Sequence, residues 1–275
     1  MFRLYISSVL VSAGLMPGAL FAQGTSTASD TLTVEARYTV MSEGGDYQGL
    51  VTLWRENPDA ALPLIDGDLE GSLALWEAEG ESKRVEIDEQ IARAIIGAEA
   101  AFEATGRSRV IDYVTSFAGW TTEQRTRFRE GQGACREGAG ALQAGDTDRA
   151  LEKGGQCRAL AEPLGDWWGT AMGLRLEGTA QASRGEAEQA ATSLAEARLI
   201  FRELGLTSSA VRIEADLASI LLELGRRPRA RAMICDGRLT ATRLGIPELE
   251  ARFQELEEQM PGLQSRPCRQ QQVRR

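Results

Sequence analysis

GEAEQAATSLAEARLIFRELG, residues 185–205, decides the fold. It opens on a glycine and closes on a Leu-Gly pair. Between them Ala187, Ala190, Leu194, Ala197, Phe201 and Leu204 run along one helical face. The boundary glycines fit helix ends, because glycine enters the left-handed conformation without the penalty a Cβ brings. The same landmarks return 40 residues away in either direction. Mid-unit glycines fall at Gly145, Gly185 and Gly225, and Leu-Gly pairs at Leu164-Gly165, Leu204-Gly205 and Leu244-Gly245. Alanines recur at Ala150, Ala190 and Ala230, and arginines at Arg158, Arg198 and Arg238. Four ladders in phase make an internal repeat. Each unit reads as a helix, a turn at the mid-unit glycine, a second helix and a stop at Leu-Gly. One helical hairpin cannot bury its apolar face alone, so neighbouring units must stack. The three units are about 126–165, 166–205 and 206–245, inside a repeat region of 122–260. Pro247 to Gln259, acidic outside through Glu248, Glu255 and Glu258, reads as its capping helix.

Upstream, residues 46–121 read as an N-terminal helical segment. Asn57-Pro58-Asp59 is a helix start, with a break expected near Asp66-Gly67. Ser82 is the expected cap of a long helix ending at Gly106, and a shorter helix follows from Ser108 to Ala118. Thr121 and Gln124 form a capping-box pair. Trp54, Trp76 and Trp120 are expected in the core of these helices. Residues 23–45 read as a flexible lead-in in which Thr31 to Thr39 alternates enough for a short strand. Residues 1–22 read as a signal peptide: Arg3, an apolar stretch from Leu4 to Leu20, and a small-residue cleavage site at Leu20-Phe21-Ala22. No later segment is apolar enough to cross a bilayer, so the expectation is a periplasmic or extracellular protein with no membrane span after cleavage.

Composition narrows the chemistry. The chain of 275 residues contains no histidine, which removes most Ser/His and Cys/His nucleophilic catalysis and the commonest zinc ligand. A formal charge of −9 argues against nucleic-acid binding, which needs a basic surface. The tail, residues 261–275, is locally basic through Arg266, Arg269, Arg274 and Arg275. Four cysteines in an exported chain permit two disulfides. Cys135 and Cys157 lie on either side of Gly145, level with each other in an antiparallel hairpin, and Cys235 with Cys268 would tie the last repeat to the tail. The alternative is buried free thiols. The cysteine spacing matches no metal motif, and no cofactor is expected.

In the middle repeat, Leu174, Gly178, Gly185, Ala190, Leu194 and Ala197, with their counterparts 40 residues away, resemble the tetratricopeptide repeat in a long form. The first-helix aromatic of that family is replaced by Ala141, Gln181 and Leu221, and Gly154 and Gly237 stand where a larger residue is usual. The resemblance implies an all-α, right-handed α-solenoid of helical hairpins that binds protein or peptide through a concave groove and carries no catalytic residues. Transferred by position, that groove comprises Gln132, Met172, Arg175, Thr179, Arg212, Ser219 and Glu223, a mixture fitting a partner with some acidic character. Asn57-Pro58-Asp59-Ala60-Ala61 and the Phe117-to-Trp120 stretch also look similar to helices preceding such repeats in bacterial proteins that end in a caspase-like peptidase domain. That likeness implies a detached regulatory half of a peptidase system.

Other features carry two readings each. Asp166 reads as a helix cap, with Trp167 and Trp168 either filling a junction between repeats or anchoring a partner. The arginine ladder is either a solvated helix position or an anionic-ligand site. Acidic residues among the N-terminal helices, Asp66, Asp68 and Glu70 among them, could serve a hydrolase if they converge on a deep pocket.

Overall fold

The structure, a computed structural model, describes residues 32–260. Twelve α-helices and three short 3₁₀ turns account for nearly all of that span, and the described residues contain no strand. The signal peptide, the basic tail and Cys268 lie outside the described residues.

The repeat region forms as its glycines require. Helices α6 (Thr122–Ala144) and α7 (Thr147–Ala161) make the first hairpin, α8 (Trp167–Ser183) and α9 (Ala187–Glu203) the second, and α10 (Thr207–Glu223) and α11 (Arg227–Leu244) the third. Gly145, Gly165, Gly185, Gly205, Gly225 and Gly245, which separate them, all have φ between 66° and 80°. Each helix packs on the next in order from α6 to α12 (Pro247–Glu258), and α6 also touches α8 as α10 touches α12. Thr121 and Gln124 close the capping box at the start of α6.

Close packing explains the two unusual glycines. A Cβ on Gly154 would lie 3.0 Å from the Glu177 backbone nitrogen and from the Leu176 Cβ, so α7 and α8 touch almost backbone to backbone. At Gly237 the space is filled by the ring of Phe253, buried on α12. A larger residue at either position would push the next helix away.

The N-terminal segment comprises α1 (Val34–Glu43), α2 (Tyr47–Glu56), α3 (Ala61–Glu79), α4 (Arg84–Thr105) and α5 (Arg109–Ala118). Here local punctuation was misleading. The stretch expected as a strand inside a flexible lead-in is helix α1: Thr33 caps it by accepting from the Ala36 N–H. Tyr38 is buried against Trp54, their ring centroids 5.3 Å apart. A lone strand has no partner for its ladder groups, whereas a helix satisfies its own. The break expected at Asp66-Gly67 is absent, because Ile65, Leu69 and Leu73 are fully buried on either side. Their burial outweighs the ~1 kcal/mol cost of a helical glycine. Ser82 does not cap α4; its hydroxyl donates to the Glu79 carbonyl, inside the 3₁₀ turn Gly80–Lys83. Asn57 likewise donates back to the Leu53 carbonyl at the end of α2 rather than capping the 3₁₀ turn Pro58–Ala60.

The N-terminal segment docks on the turns between repeats. Trp120 donates its indole N–H to the Leu164 carbonyl, and a Cβ on Gly165 would strike the Ser116 hydroxyl. Forty residues on, Thr207 donates to Asp59, Arg109 pairs with Glu203, and Gly205 lies against the Pro58 carbonyl. Leu164 and Leu204 are consequently buried in one core with Leu50, Trp54, Tyr113 and Phe117. At the third such turn a Cβ on Gly245 would meet no described atom within 4 Å, and the same holds for the mid-unit turns at Gly145, Gly185 and Gly225. The described residues from Thr33 to Met260 belong to one compact unit.

Candidate functional site

The expected groove residues do not behave alike. Gln132 on α6 and Met172 on α8 meet at one cavity of about 470 Å³, between the N-terminal segment and the first two hairpins. Arg175 is mostly buried, and its Nε has no hydrogen-bond partner. Thr179 donates to the Arg175 carbonyl within α8. Arg212 is taken up by Glu248 of α12 at 3.0 Å, and its neighbour Asp216 by Arg252 of the same helix. Ser219 is half-buried and Glu223 exposed on α10. The cationic character read for this surface is therefore largely neutralised or withdrawn from solvent.

The cavity has a different character. Asp66 and Glu70 reach it from α3, Tyr113 from α5, Phe128 and Arg129 from α6, and Asp166 and Trp168 from the start of α8. The Tyr113 hydroxyl donates to Asp66 at 2.6 Å. Arg129 donates to Glu70 at 2.6 Å and grips both oxygens of Glu77 at 2.7 and 3.0 Å, clamping α6 to α3. Gln132 completes the cluster by donating to the other oxygen of Glu70. Burial pushes the Asp66 carboxyl up to about 6, against the stabilising hydroxyl of Tyr113 and with some help from nearby Glu70. Burial likewise raises Asp166 to about 7, although it accepts the Gly169 N–H at 2.8 Å as the cap of α8. Two carboxyls that ionise reluctantly thus border a space walled by Trp168, Phe128 and Met172.

Cys135 and Cys157 are disulfide-bonded, with Cα atoms 5.1 Å apart, and their bridge between α6 and α7 forms part of the same wall. The free-thiol alternative is thereby excluded for this pair. Cys235 is also disulfide-bonded. The two tryptophans divide the roles considered for them. Trp167 sits in the junction with the Arg109 guanidinium 4.0 Å over its ring, while Trp168 faces the cavity. Trp54 and Trp120 are buried as expected, and Trp76 is partly buried with Arg125 over its ring.

The arginine ladder is partly buried and paired. Arg158 pairs with Glu177, Arg198 with Glu214 and Arg238 with Glu257, each joining the second helix of a hairpin to a later helix. It is a row of interhelical ion pairs.

Tyr113, Phe128 and Arg129 were invisible as site residues in the sequence, and Asp66 and Glu70 stood out only as acids among many. None of the five belongs to the recurring landmarks of the repeat, and the sequence pointed to this site only through Gln132, Met172 and the paired tryptophans after Asp166. Among the described residues no group of histidine, cysteine and carboxylate side chains is placed to hold a metal ion, and no helix is long and apolar enough to cross a membrane. Compared with known proteins, the chain matches no family model and no curated sequence. The site must speak through its chemistry.

Proposed function

We propose that the chain is an exported, non-catalytic scaffold, a right-handed α-solenoid of tetratricopeptide-like hairpins that holds a protein or peptide partner along a concave groove formed by α6, α8 and α10. The observation that carries this reading is the cavity at which Gln132 and Met172 meet, because it offers both anchoring area and charge. Trp168, Phe128 and Met172 supply apolar and aromatic surface. Asp66, Glu70 and Asp166 supply carboxylates of which two lack a full countercharge. That combination fits a lysine or arginine side chain, whose stem packs on the rings while its head meets the acids. A basic anchor replaces the acidic partner that Arg175 and Arg212 alone had pointed to.

Affinity capture from the extracytoplasmic fraction tests the reading. Trp168→Ala combined with Met172→Ala is expected to abolish capture of the partner, whereas Arg212→Ala leaves it intact. Equal capture by the unaltered protein and both variants, with unchanged circular dichroism, overturns it.

One observation favours a second reading. Asp66 and Asp166 border one cavity and are both poised to exchange protons near neutral pH, as an acid–base pair in a hydrolase would be. Against it, each already has a structural task, Asp166 as a helix cap and Asp66 as the acceptor of Tyr113. Turnover of reporter glycosides or peptides that disappears with Asp66→Asn would favour the hydrolase.

A further inference from the structure

A second cavity, of about 590 Å³, lies between α9 and α11, the second helices of the last two hairpins, with α10 at its floor. Alanines at 191, 195 and 232 leave the gap open. Its charged lining is Arg198, Arg202, Arg226 and Arg229 against Glu214 and Asp236, a local excess of two positive charges (four minus two) on a chain of −9.

This cavity sits where the repeat breaks its own pattern. Glu177 and Glu257, 80 residues apart, hold the outer arginines of the ladder, but the corresponding middle position is Leu217. The middle acid comes instead from Glu214, almost one helical turn earlier and deeper: its side chain is 2% exposed, against 13% for Glu177 and 17% for Glu257. Around it two charges are reversed relative to the units before. Arg202 stands where the first repeat has Glu162, and Arg226 where the earlier units have Asp146 and Glu186.

Glu214 is left half satisfied. Its Oε1 accepts from Arg198 at 3.0 Å and forms an ion pair with Arg202 at 2.7 Å, while its buried Oε2 has no hydrogen-bond partner. A buried acceptor without a donor costs about 1–3 kcal/mol, so the site calls for a donor. The surrounding arginines call for an anion. Arg226 engages Glu188 through one terminal nitrogen. A guanidinium carries five N–H donors, so the existing pairs leave most of those on the four arginines unassigned.

We propose that this cavity binds inorganic hydrogen phosphate. Its ionised oxygens would accept from Arg202, Arg226 and Arg229, and its remaining P–OH would donate to Glu214 Oε2 once the carboxylate turns that sealed oxygen towards the cavity. Sulfate has the same shape but no proton, and would set a lone pair against the carboxylate. A dianionic phosphate monoester has the same deficiency. The site is independent of the partner groove, since it shares no lining residue with the cavity at Trp168.

The test is calorimetric titration of the full chain at about pH 8 and constant ionic strength, with inorganic phosphate, sulfate and phenyl phosphate in turn. Phosphate is expected to bind at least about tenfold more tightly than either competitor, a difference of about 1.4 kcal/mol. Arg229→Ala, at an exposed position, should weaken phosphate about tenfold without moving the melting temperature measured in its absence. Glu214→Gln should remove the preference over sulfate by presenting an N–H where the acceptor stood. No heat with phosphate up to about 10 mM, or equal affinity for phosphate and sulfate, overturns the proposal. Phenyl phosphate binding as tightly as phosphate also overturns it, assigning the cavity to phosphomonoesters.

Discussion

Asp66 shows how one buried carboxyl links stability to pH. Its folded pKa, about 6, lies above the ordinary 3.8, so the folded state holds its proton more tightly than the unfolded one. The favourable contribution is therefore full below about pH 4 and is lost as pH rises through about 6. Asp66→Asn keeps an acceptor for Tyr113 and removes the charge. It should raise unfolding stability at pH 8 by up to about 3 kcal/mol, with the gain vanishing towards pH 4 in parallel urea titrations. A basic partner side chain in the cavity would reverse that preference by favouring the ionised form. Gly237 makes a second residue-scale case. Gly237→Ala should cost about 1–3 kcal/mol through collision with Phe253. Gly237→Ala with Phe253→Ala should cost less than the sum of the two single changes, because the collision is gone. Additive losses in thermal melts would show that the helices shift instead.

At the scale of the helix, glycines of one type do opposite work. Gly185 has φ of 78°, and alanine there should cost about 1–2 kcal/mol. Gly133 and Gly140 lie within α6 with nothing around the position a Cβ would take. Alanine at each should stabilise by up to about 1 kcal/mol, read as an increase in denaturation midpoint. The same contrast explains what was legible. A periodic turn glycine carries its own physical warrant, so the hairpins and their boundaries could be read from Gly145 to Gly245. The helices before them lack a repeat, and there isolated signals such as Asp66-Gly67 and Ser82 were overruled by burial of Ile65, Leu69 and Leu73 or by a local 3₁₀ turn. The cavity at Trp168 was still less legible. It joins α3, α5, α6 and α8 across about 100 residues of sequence, and no local pattern records that Asp66 will meet Asp166.

For the molecule as a whole, the bridge between Cys135 and Cys157 closes a loop of 22 residues and borders the partner cavity. Replacing both cysteines by alanine should lower stability by about 2–4 kcal/mol and weaken partner capture more than a distant change of equal cost. Matched melting and capture measurements on the paired variant and on Phe253→Ala separate the two effects. Of the three turns between repeats or after the last, the N-terminal segment packs on those at Gly165 and Gly205, and among the described residues nothing lies within 4 Å of a Cβ placed on Gly245. That asymmetry gives the molecule a mechanical polarity. A force drawing on α12 and α11 acts first on the hairpin that the N-terminal segment does not brace. A force applied through α1 and α2 must first shear two turns off a common strut. Such a chain would yield gradually when pulled from one terminus and abruptly from the other.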